Sequence, residues 1–223
     1  MNNPESQMVA VTVRAGSKAE MALPDGTFVH LNAATNLEYD VNNSKQRLVK
    51  LSGEAFFDVA KNPDCPFKVI INDLQIEVVG TSFNVKTYKK DIVETSLLSG
   101  RIRISGGSLP HEYTLSPGQK ATYSAMDRTL RISKADAHVE AGWRDNYLIF
   151  ESTPLIDVIA QIERWYGVEI RLHHKQIAQD LLSGSFRNES IQNVIRSLSI
   201  QYGFKYEIHK DIITCLLYTS PSP

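Results

Sequence analysis

This chain has few cysteines, almost no excess of positive or negative charge, and no long apolar runs. No stretch of the 223 residues approaches the roughly 20 consecutive apolar residues that a membrane-spanning helix needs. The formal net charge is −1, and no stripe of lysine and arginine marks a nucleic-acid surface. The two cysteines, Cys65 and Cys215, have neither the CxxC spacing of a redox pair nor a metal-site spacing. With 42% hydrophobic and 22% charged residues, the composition is that of an ordinary globular protein.

What is present, from about residue 9 to residue 133, is a series of short β-type runs separated by turn signals. Runs such as RIRI at 101–104 alternate polar and apolar residues, as half-buried strands do. The turn signals include PDG at 24–26 and SPG at 116–118, where glycine accepts positive φ. Strands that recur about every ten residues without a helical pattern predict a mainly β N-terminal domain over 9–133, built as an antiparallel sandwich or a strand-stacked roll.

The pattern changes after residue 134, where an internal repeat begins. An apolar helix face is followed by a glycine, and the same arrangement recurs 36 positions later, with β-type runs before and after each helix. The repeat predicts a small α/β domain over 143–214, made of two βαβ units that bury their helix faces against one shared sheet, after a linker at 134–142. The matched positions are Phe150 and Phe186, Leu155 and Ile191, Val158 and Val194, Ile159 and Ile195, Ile162 and Leu198, Tyr166 and Tyr202, and Gly167 and Gly203.

Both helices of the repeat have end signals. Ser152-Thr153-Pro154 predicts a hydroxyl cap followed by proline in the first turn, and Asn188 predicts the cap of the second helix. Gly167 and Gly203 are placed where a left-handed residue ends a helix.

The stretch VVGTSFNV at 78–85 is the strongest candidate for a phosphate loop or a nucleophile turn, but the spacing of its residues argues against both. Gly80 is not followed by the Gly-Lys of a phosphate loop, and Gly80-Thr81-Ser82 does not fit the GxSxG of a nucleophile turn. We therefore expect a strand bend or bulge at Gly80, with Phe83 and Val85 on one face.

The remaining chemistry-bearing residues form no recognisable group. His173 and His174 are adjacent, so on a strand they point to opposite faces and cannot bind one metal ion together. Trp143, Trp165 and Tyr166 are candidates for a sugar platform, although a domain junction for Trp143 and a half-buried helix end for the other two explain them as well. The sequence predicts no enzyme, no metal site and no cofactor.

Five stretches in order resemble the extracytoplasmic domain of FecR-type transmembrane regulators: 23–40, 51–69, 78–88, 95–104 and 115–124. The stretches 148–170 and 182–199 resemble the C-terminal domain of FecR proteins of the Bacteroidetes kind, which is similar to the short βαβ modules of secretins and TonB-dependent transporters. The positions that carry the family motifs are Gly53, Phe56, Gly80, Thr81, Phe83, Gly100, Pro117, Gly118, Trp143 and Phe150.

The resemblance implies signalling by contact. FecR-like proteins are inner-membrane anti-sigma regulators, whose periplasmic part receives a signal from the N-terminal domain of an outer-membrane TonB-dependent transporter. A cytoplasmic segment holds or releases an extracytoplasmic-function sigma factor. The family pattern for the sigma-binding segment and the membrane helix is not found here, so this chain is expected to be the periplasmic part alone, with Met1 starting a fragment.

The last nine residues, CLLYTSPSP at 215–223, depart from the strand pattern that precedes them. They look like translated adapter sequence, and we expect a non-native tail there, which would leave Cys65 as a lone native thiol. A genuine flexible tail is the alternative.

Two other functions fit the sequence. A carbohydrate-binding periplasmic β-domain of a glycan-uptake system would use the aromatic residues, with Trp143 as its test position. A structural piece of a secretion pore would use the secretin-like half.

Overall fold

The computed structural model describes residues 7–41, 47–173 and 175–217, which form two compact units. The first unit holds the described residues up to 141 except 15–17, and the second holds 15–17 and the described residues from 142 onward. His174 and the end of the predicted tail, 218–223, lie outside the described residues. Within the described part of the chain, no helix is both long and apolar enough to cross a membrane.

In the part of the chain that the structure describes, the first unit has fourteen strands in two seven-stranded sheets. Sheet A has the order β1-β4-β5-β7-β8-β11-β12, and sheet B has the order β14-β13-β10-β9-β6-β3-β2. The strands are β1 (Met8–Val13), β2 (Ala19–Ala22), β3 (Phe28–Leu31), β4 (Thr35–Asp40), β5 (Arg47–Ser52), β6 (Glu54–Asp58), β7 (Phe67–Ile71), β8 (Leu74–Val78), β9 (Ser82–Lys86), β10 (Ile92–Ser99), β11 (Ile102–Gly106), β12 (Tyr113–Leu115), β13 (Gln119–Ser124) and β14 (Thr129–Lys134).

One hydrophobic core lies between the two sheets, because alternate residues of strands from both sheets are buried together. Phe57 and Phe83 of sheet B stack at its centre, with ring centroids 5.2 Å apart, and Phe67 of sheet A packs beside Phe57 at 5.8 Å. The prediction of a mainly β first domain is confirmed. The pairing is antiparallel except between β5 and β7, which are parallel.

Most of the predicted family-motif residues of this unit lie where the chain passes from one sheet to the other. Gly53 joins β5 of sheet A to β6 of sheet B, and Gly100 joins β10 of sheet B to β11 of sheet A. Gly80 and Thr81 join β8 to β9, and Pro117-Gly118 joins β12 to β13. Gly53, Gly100 and Gly118 have φ of 114°, 91° and 79°, a region that favours glycine. These three glycines therefore allow the chain to turn from one sheet into the other.

Two of these corners share one construction. The Thr35 hydroxyl donates to the Glu54 carbonyl oxygen at 3.2 Å, and the Thr81 hydroxyl donates to the Arg101 carbonyl oxygen at 3.1 Å. A Cβ on Gly53 would lie 2.5 Å from Thr35 Oγ1, and one on Gly100 would lie 2.6 Å from Thr81 Oγ1. Each threonine thus packs against a glycine that has no room for a side chain. The shared Leu-Ser-Gly at 51–53 and 98–100 was the signal for this duplication, and the sequence-based prediction missed it.

The expected bend at Gly80 falls between two strands rather than within one. β8 ends at Val78 and β9 begins at Ser82, so Gly80 is part of the crossing between the sheets. A Cβ there would lie 2.8 Å from the Lys61 Cβ, which explains why glycine is needed. The bulge nearby is in β10, between Leu97 and Ser99. Phe83 and Val85 both enter the same core, which is consistent with the expectation that they lie on one face.

The stretch predicted as a linker is structured. β14 runs to Lys134, and a short helix, α1 (Ala137–Ala141), follows it in the first unit. Asp136 begins α1, since its carboxylate accepts from the His138 backbone N–H at 2.8 Å. The prediction of a linker rested on composition, which does not reveal these contacts.

Candidate functional site

The C-terminal unit holds the repeat, and each copy is a strand, a helix and a strand. The first copy is β15 (Tyr147–Pro154), α2 (Leu155–Tyr166) and β16 (Glu169–Leu172), and the second is β17 (Leu181–Arg187), α3 (Ile191–Tyr202) and β18 (Phe204–His209). A last strand, β19 (Ile212–Leu217), follows. The prediction of a small α/β domain is confirmed.

The two copies do not share one sheet, which corrects the sequence-based expectation. β15 and β17 pair with each other as an antiparallel ribbon, whereas β16 and β18 lie on either side of β19 in a three-stranded sheet. β19 runs through Cys215, which is buried, so the strand pattern extends past Thr214, where we expected it to end. Burial raises the pKa of the Cys215 thiol to about 11.

The ribbon has an approximate two-fold axis that follows from the repeat. Ile149 pairs with Ser185, its own counterpart 36 positions later. On either side of this pair, Leu148 faces Phe186 and Phe150 faces Gly184, so each pair is the symmetry mate of the other. Phe150 and Phe186 meet edge to face at 6.4 Å in the core of the unit.

The predicted apolar helix faces form that core. Leu155, Val158, Ile159 and Ile162 of α2 are buried, as are Val194, Ile195 and Leu198 of α3, while Ile191 packs at the margin. Gly167 and Gly203 end the helices in the left-handed conformation, with φ of 69° in both, which confirms the predicted stop signals.

Both predicted helix starts are wrong. Pro154 is itself the residue before α2 and no side chain caps that helix, because the Thr153 hydroxyl bonds to the backbone of Glu151 instead. The second helix is capped by Ser190, whose hydroxyl accepts from the Asn193 N–H, and not by Asn188. Asn188 has φ of 52° and ends the ribbon.

A pocket of about 190 Å³ opens at the end of the ribbon where β15 begins and β17 ends. Asn146 and Asn188 flank this end, both with left-handed backbones, and the Asn188 N–H donates to the Asn146 carbonyl oxygen at 3.3 Å. The pocket is lined by Asn146, Leu148, Trp165, Tyr166, Phe186, Asn188 and Glu189.

Hydrogen bonds hold the far rim of the pocket in place. The Tyr166 hydroxyl donates to the Glu189 carbonyl oxygen at 2.8 Å, and Asn193 Nδ2 donates to Glu189 Oε2 at 2.8 Å. Burial, and then the charge of Glu189, raises the pKa of Tyr166 above its usual value. Tyr202, the counterpart of Tyr166, has a buried hydroxyl with no hydrogen-bond partner in the structure.

Two family models match this chain, and two solved structures are similar to it. The model of the FecR protein matches residues 9–103, and the model of the FecR C-terminal domain matches residues 147–215. The chain belongs to the FecR family. Both solved structures are of a candidate anti-sigma factor from Parabacteroides distasonis ATCC 8503, each with 29% identity and a TM-score of 0.84, and each is covered in full. They span 95% and 96% of this chain. The comparison with curated proteins finds no match.

The motif residues outside the sheet corners are packing residues in this FecR chain. Phe83 and Phe150 lie in the two cores, and Phe56 is buried on the face of β6 opposite Phe57, edge to face with His30 at 6.1 Å. Trp143 is only 6% exposed, in a 3₁₀ turn at Gly142–Asp145.

The burial of Trp143 removes it as a sugar platform, because a platform needs an accessible ring face. Of the three aromatic residues considered for a sugar platform, Trp165 and Tyr166 both line the pocket. Within the described residues, no three histidine, cysteine or carboxylate side chains are grouped as metal ligands. His173 lies just after β16.

Proposed function

We propose that this FecR-family chain receives a signal in the periplasm by protein–protein contact, without catalysing a reaction. Its C-terminal unit would bind the N-terminal signalling domain of an outer-membrane TonB-dependent transporter. The family's cytoplasmic segment would then pass the signal to an extracytoplasmic-function sigma factor. These partners are those of FecR-type regulators in general, and the proposal assigns them to this chain because it belongs to the family.

The observation that carries the proposal is the β15–β17 ribbon. Among the described residues, β17 pairs only with β15, so its other edge carries backbone groups that are open to a further strand. Natural proteins protect such edges with charge or proline. β17 has the sequence LLSGSFR, with a single charge at its end, whereas the edge strand β18 carries Lys205, Glu207 and His209. β17 is therefore better suited than β18 to accept a strand from a partner.

A binding experiment tests the proposal. The N-terminal signalling domain of the cognate TonB-dependent transporter is titrated into the chain by calorimetry, and we expect saturable binding. The double variant Leu181→Lys/Ser185→Lys adds two charges along β17 and should weaken binding at least about tenfold, since lysines oppose edge pairing.

Ser133→Lys, on an exposed position of β14 in the other unit, is the matched control and should bind like the unchanged chain. Absence of binding by the folded, unchanged chain would contradict the proposed partner. Equal binding by all three proteins would leave the partner and reject the β17 edge.

A further inference from the structure

The pocket at the end of the β15–β17 ribbon has the size and chemistry of a receptor for one side chain. Its volume of about 190 Å³ is below the roughly 300–1,000 Å³ of pockets that hold cofactors or drug-sized ligands. Three aromatic residues, Trp165, Tyr166 and Phe186, form part of its lining. The remaining lining residues include Asn146, Asn188 and the acidic residue Glu189, and none of the lining residues is positively charged.

The pocket is built before any partner arrives. The bond between Asn188 and Asn146 closes the ribbon end, and asparagine tolerates the left-handed backbone that both residues adopt. Tyr166 and Asn193 each hold one part of Glu189, its carbonyl oxygen and its carboxylate. A preformed rim lowers the ordering cost of binding, which is what a recognition site requires.

The chemistry of the lining selects a cation. Aromatic side chains attract a cation through their ring faces, and a carboxylate next to them adds a charge-assisted hydrogen bond. Arginine suits this combination better than lysine, because its flat guanidinium both stacks on rings and pairs with a carboxylate.

The neighbouring arginine of the chain is directed elsewhere. Arg187 lies over the Tyr147 ring at 4.7 Å, across the ribbon from it. By strand alternation, these two side chains leave the ribbon on the face opposite Leu148 and Phe186, which line the pocket. Arg187 therefore does not occupy the site by reaching over the ribbon.

We propose that this pocket receives an arginine side chain from the partner protein. The inference rests on the proposed function for the identity of the partner, but the affinity of the pocket for a guanidinium is a property of this chain alone. The two statements can therefore be tested separately.

The first test uses capped amino acids and the full chain. The two tryptophans, Trp143 and Trp165, are labelled with 5-fluorotryptophan, so that Trp165 reports on the pocket and the buried Trp143 serves as the internal reference. N-acetyl-arginine amide should shift the Trp165 fluorine resonance saturably and leave that of Trp143 in place. N-acetyl-citrulline amide, which has the same shape without the charge, should bind at least about fivefold more weakly.

Two variants locate the effect. Glu189→Gln keeps an oxygen for Asn193 but removes the charge, and should weaken capped arginine at least about fivefold. Glu207→Gln changes an exposed carboxylate of β18 in the same unit and should have no effect. Equal shifts with arginine and citrulline, or no shift of Trp165, would overturn the inference, as would equal effects of the two variants.

The second test uses the transporter domain. If that domain binds and Glu189→Gln weakens it while Glu207→Gln does not, the partner's arginine is in the pocket. If the domain binds equally to both variants, the inference fails while the proposed function stands. If capped arginine binds but the domain does not, the proposed function fails, and with it the assignment of the arginine to that partner.

Discussion

Lys120, on β13, forms ion pairs with two glutamates from different elements. Its ammonium group lies 2.9 Å from Glu94 Oε1 and 2.9 Å from Glu140 Oε1, and all three side chains are largely buried. Glu94 belongs to β10 and Glu140 to α1, so one lysine ties the helix that follows β14 to sheet B. Burial alone would raise the pKa of Glu94, but Lys120 and then Lys86 outweigh it, and that pKa is lowered. Burial likewise opposes the charge of Lys120, but the two glutamates raise its pKa.

Lys120→Met should lower the free energy of unfolding by about 2 kcal/mol near neutral pH, because two carboxylates lose a partly buried, charged partner. Because the folded pKa of Glu94 is lowered, its contribution is present above the unfolded pKa and is lost as the pH falls through the folded value. The raised pKa of Lys120 predicts a second loss at high pH, as the pH rises through the folded value. Urea unfolding across the pH range measures both effects.

The control for this prediction is Lys134→Met, which removes an exposed lysine of β14 and should change stability little. In Lys120→Met the acid-side slope should be shallower than in the unchanged chain. A variant that keeps the full pH dependence would show that Glu94 owes its lowered pKa to other groups.

At the scale of elements, the two helices of the repeat have the same end and different starts. Gly167 and Gly203 each end a helix in the left-handed conformation, which glycine adopts without a steric cost. The starts differ because Ser190 can reach the Asn193 N–H, while Thr153 belongs to the last part of β15 and bonds to Glu151. A repeat at constant spacing therefore does not guarantee equal local contacts.

Ser190→Ala should reduce the free energy of unfolding of the C-terminal unit by about 1 kcal/mol, because α3 loses the acceptor for one of its first N–H groups. Asn188→Gly should be neutral to within about 0.5 kcal/mol, since glycine adopts its left-handed backbone readily. Chemical denaturation followed by tryptophan fluorescence measures both. A larger loss for Asn188→Gly than for Ser190→Ala would restore the cap that the sequence suggested.

At the scale of the whole molecule, the described residues form two separate hydrophobic cores. The first is formed by strands of sheets A and B, and the second by α2, α3 and the strands of the C-terminal unit. No buried residue belongs to both cores among the described residues. Both tryptophans belong to the second unit, and Trp165 packs against its core, so tryptophan fluorescence reports on that unit.

Phe83→Ala and Ile162→Ala each remove a fully buried side chain from one core and should each cost about 2–5 kcal/mol in that unit. Phe83→Ala should shift the unfolding seen by circular dichroism of the strands and leave the tryptophan transition in place. Ile162→Ala should shift the tryptophan transition. If both variants move both transitions equally, the two units unfold as one.

Much of the architecture was predictable because its causes are local. Alternation of apolar residues marks a strand, a face recurring every three or four residues marks a helix, and a glycine marks a left-handed stop, whatever surrounds them. The mainly β first domain, the apolar faces of α2 and α3, and their glycine ends follow from these patterns and are confirmed.

What only the tertiary structure decided is which distant segments meet. β15 pairs with β17 rather than β16, the Thr35 and Thr81 hydroxyls donate to the carbonyl oxygens of Glu54 and Arg101, and Lys120 bonds to Glu140. In each case the hydrogen-bonded partners lie far apart in the sequence. The pocket is of the same kind, since Trp165, Phe186 and Glu189 come from different elements that meet only after both copies have folded. The sequence by itself determined the repeat, because the period of the repeat and its pattern of polar and apolar residues can be read along the chain without knowledge of its contacts. Pairing and packing were left to the tertiary structure, because many partners satisfy the same local pattern and only the complete set of contacts selects among them.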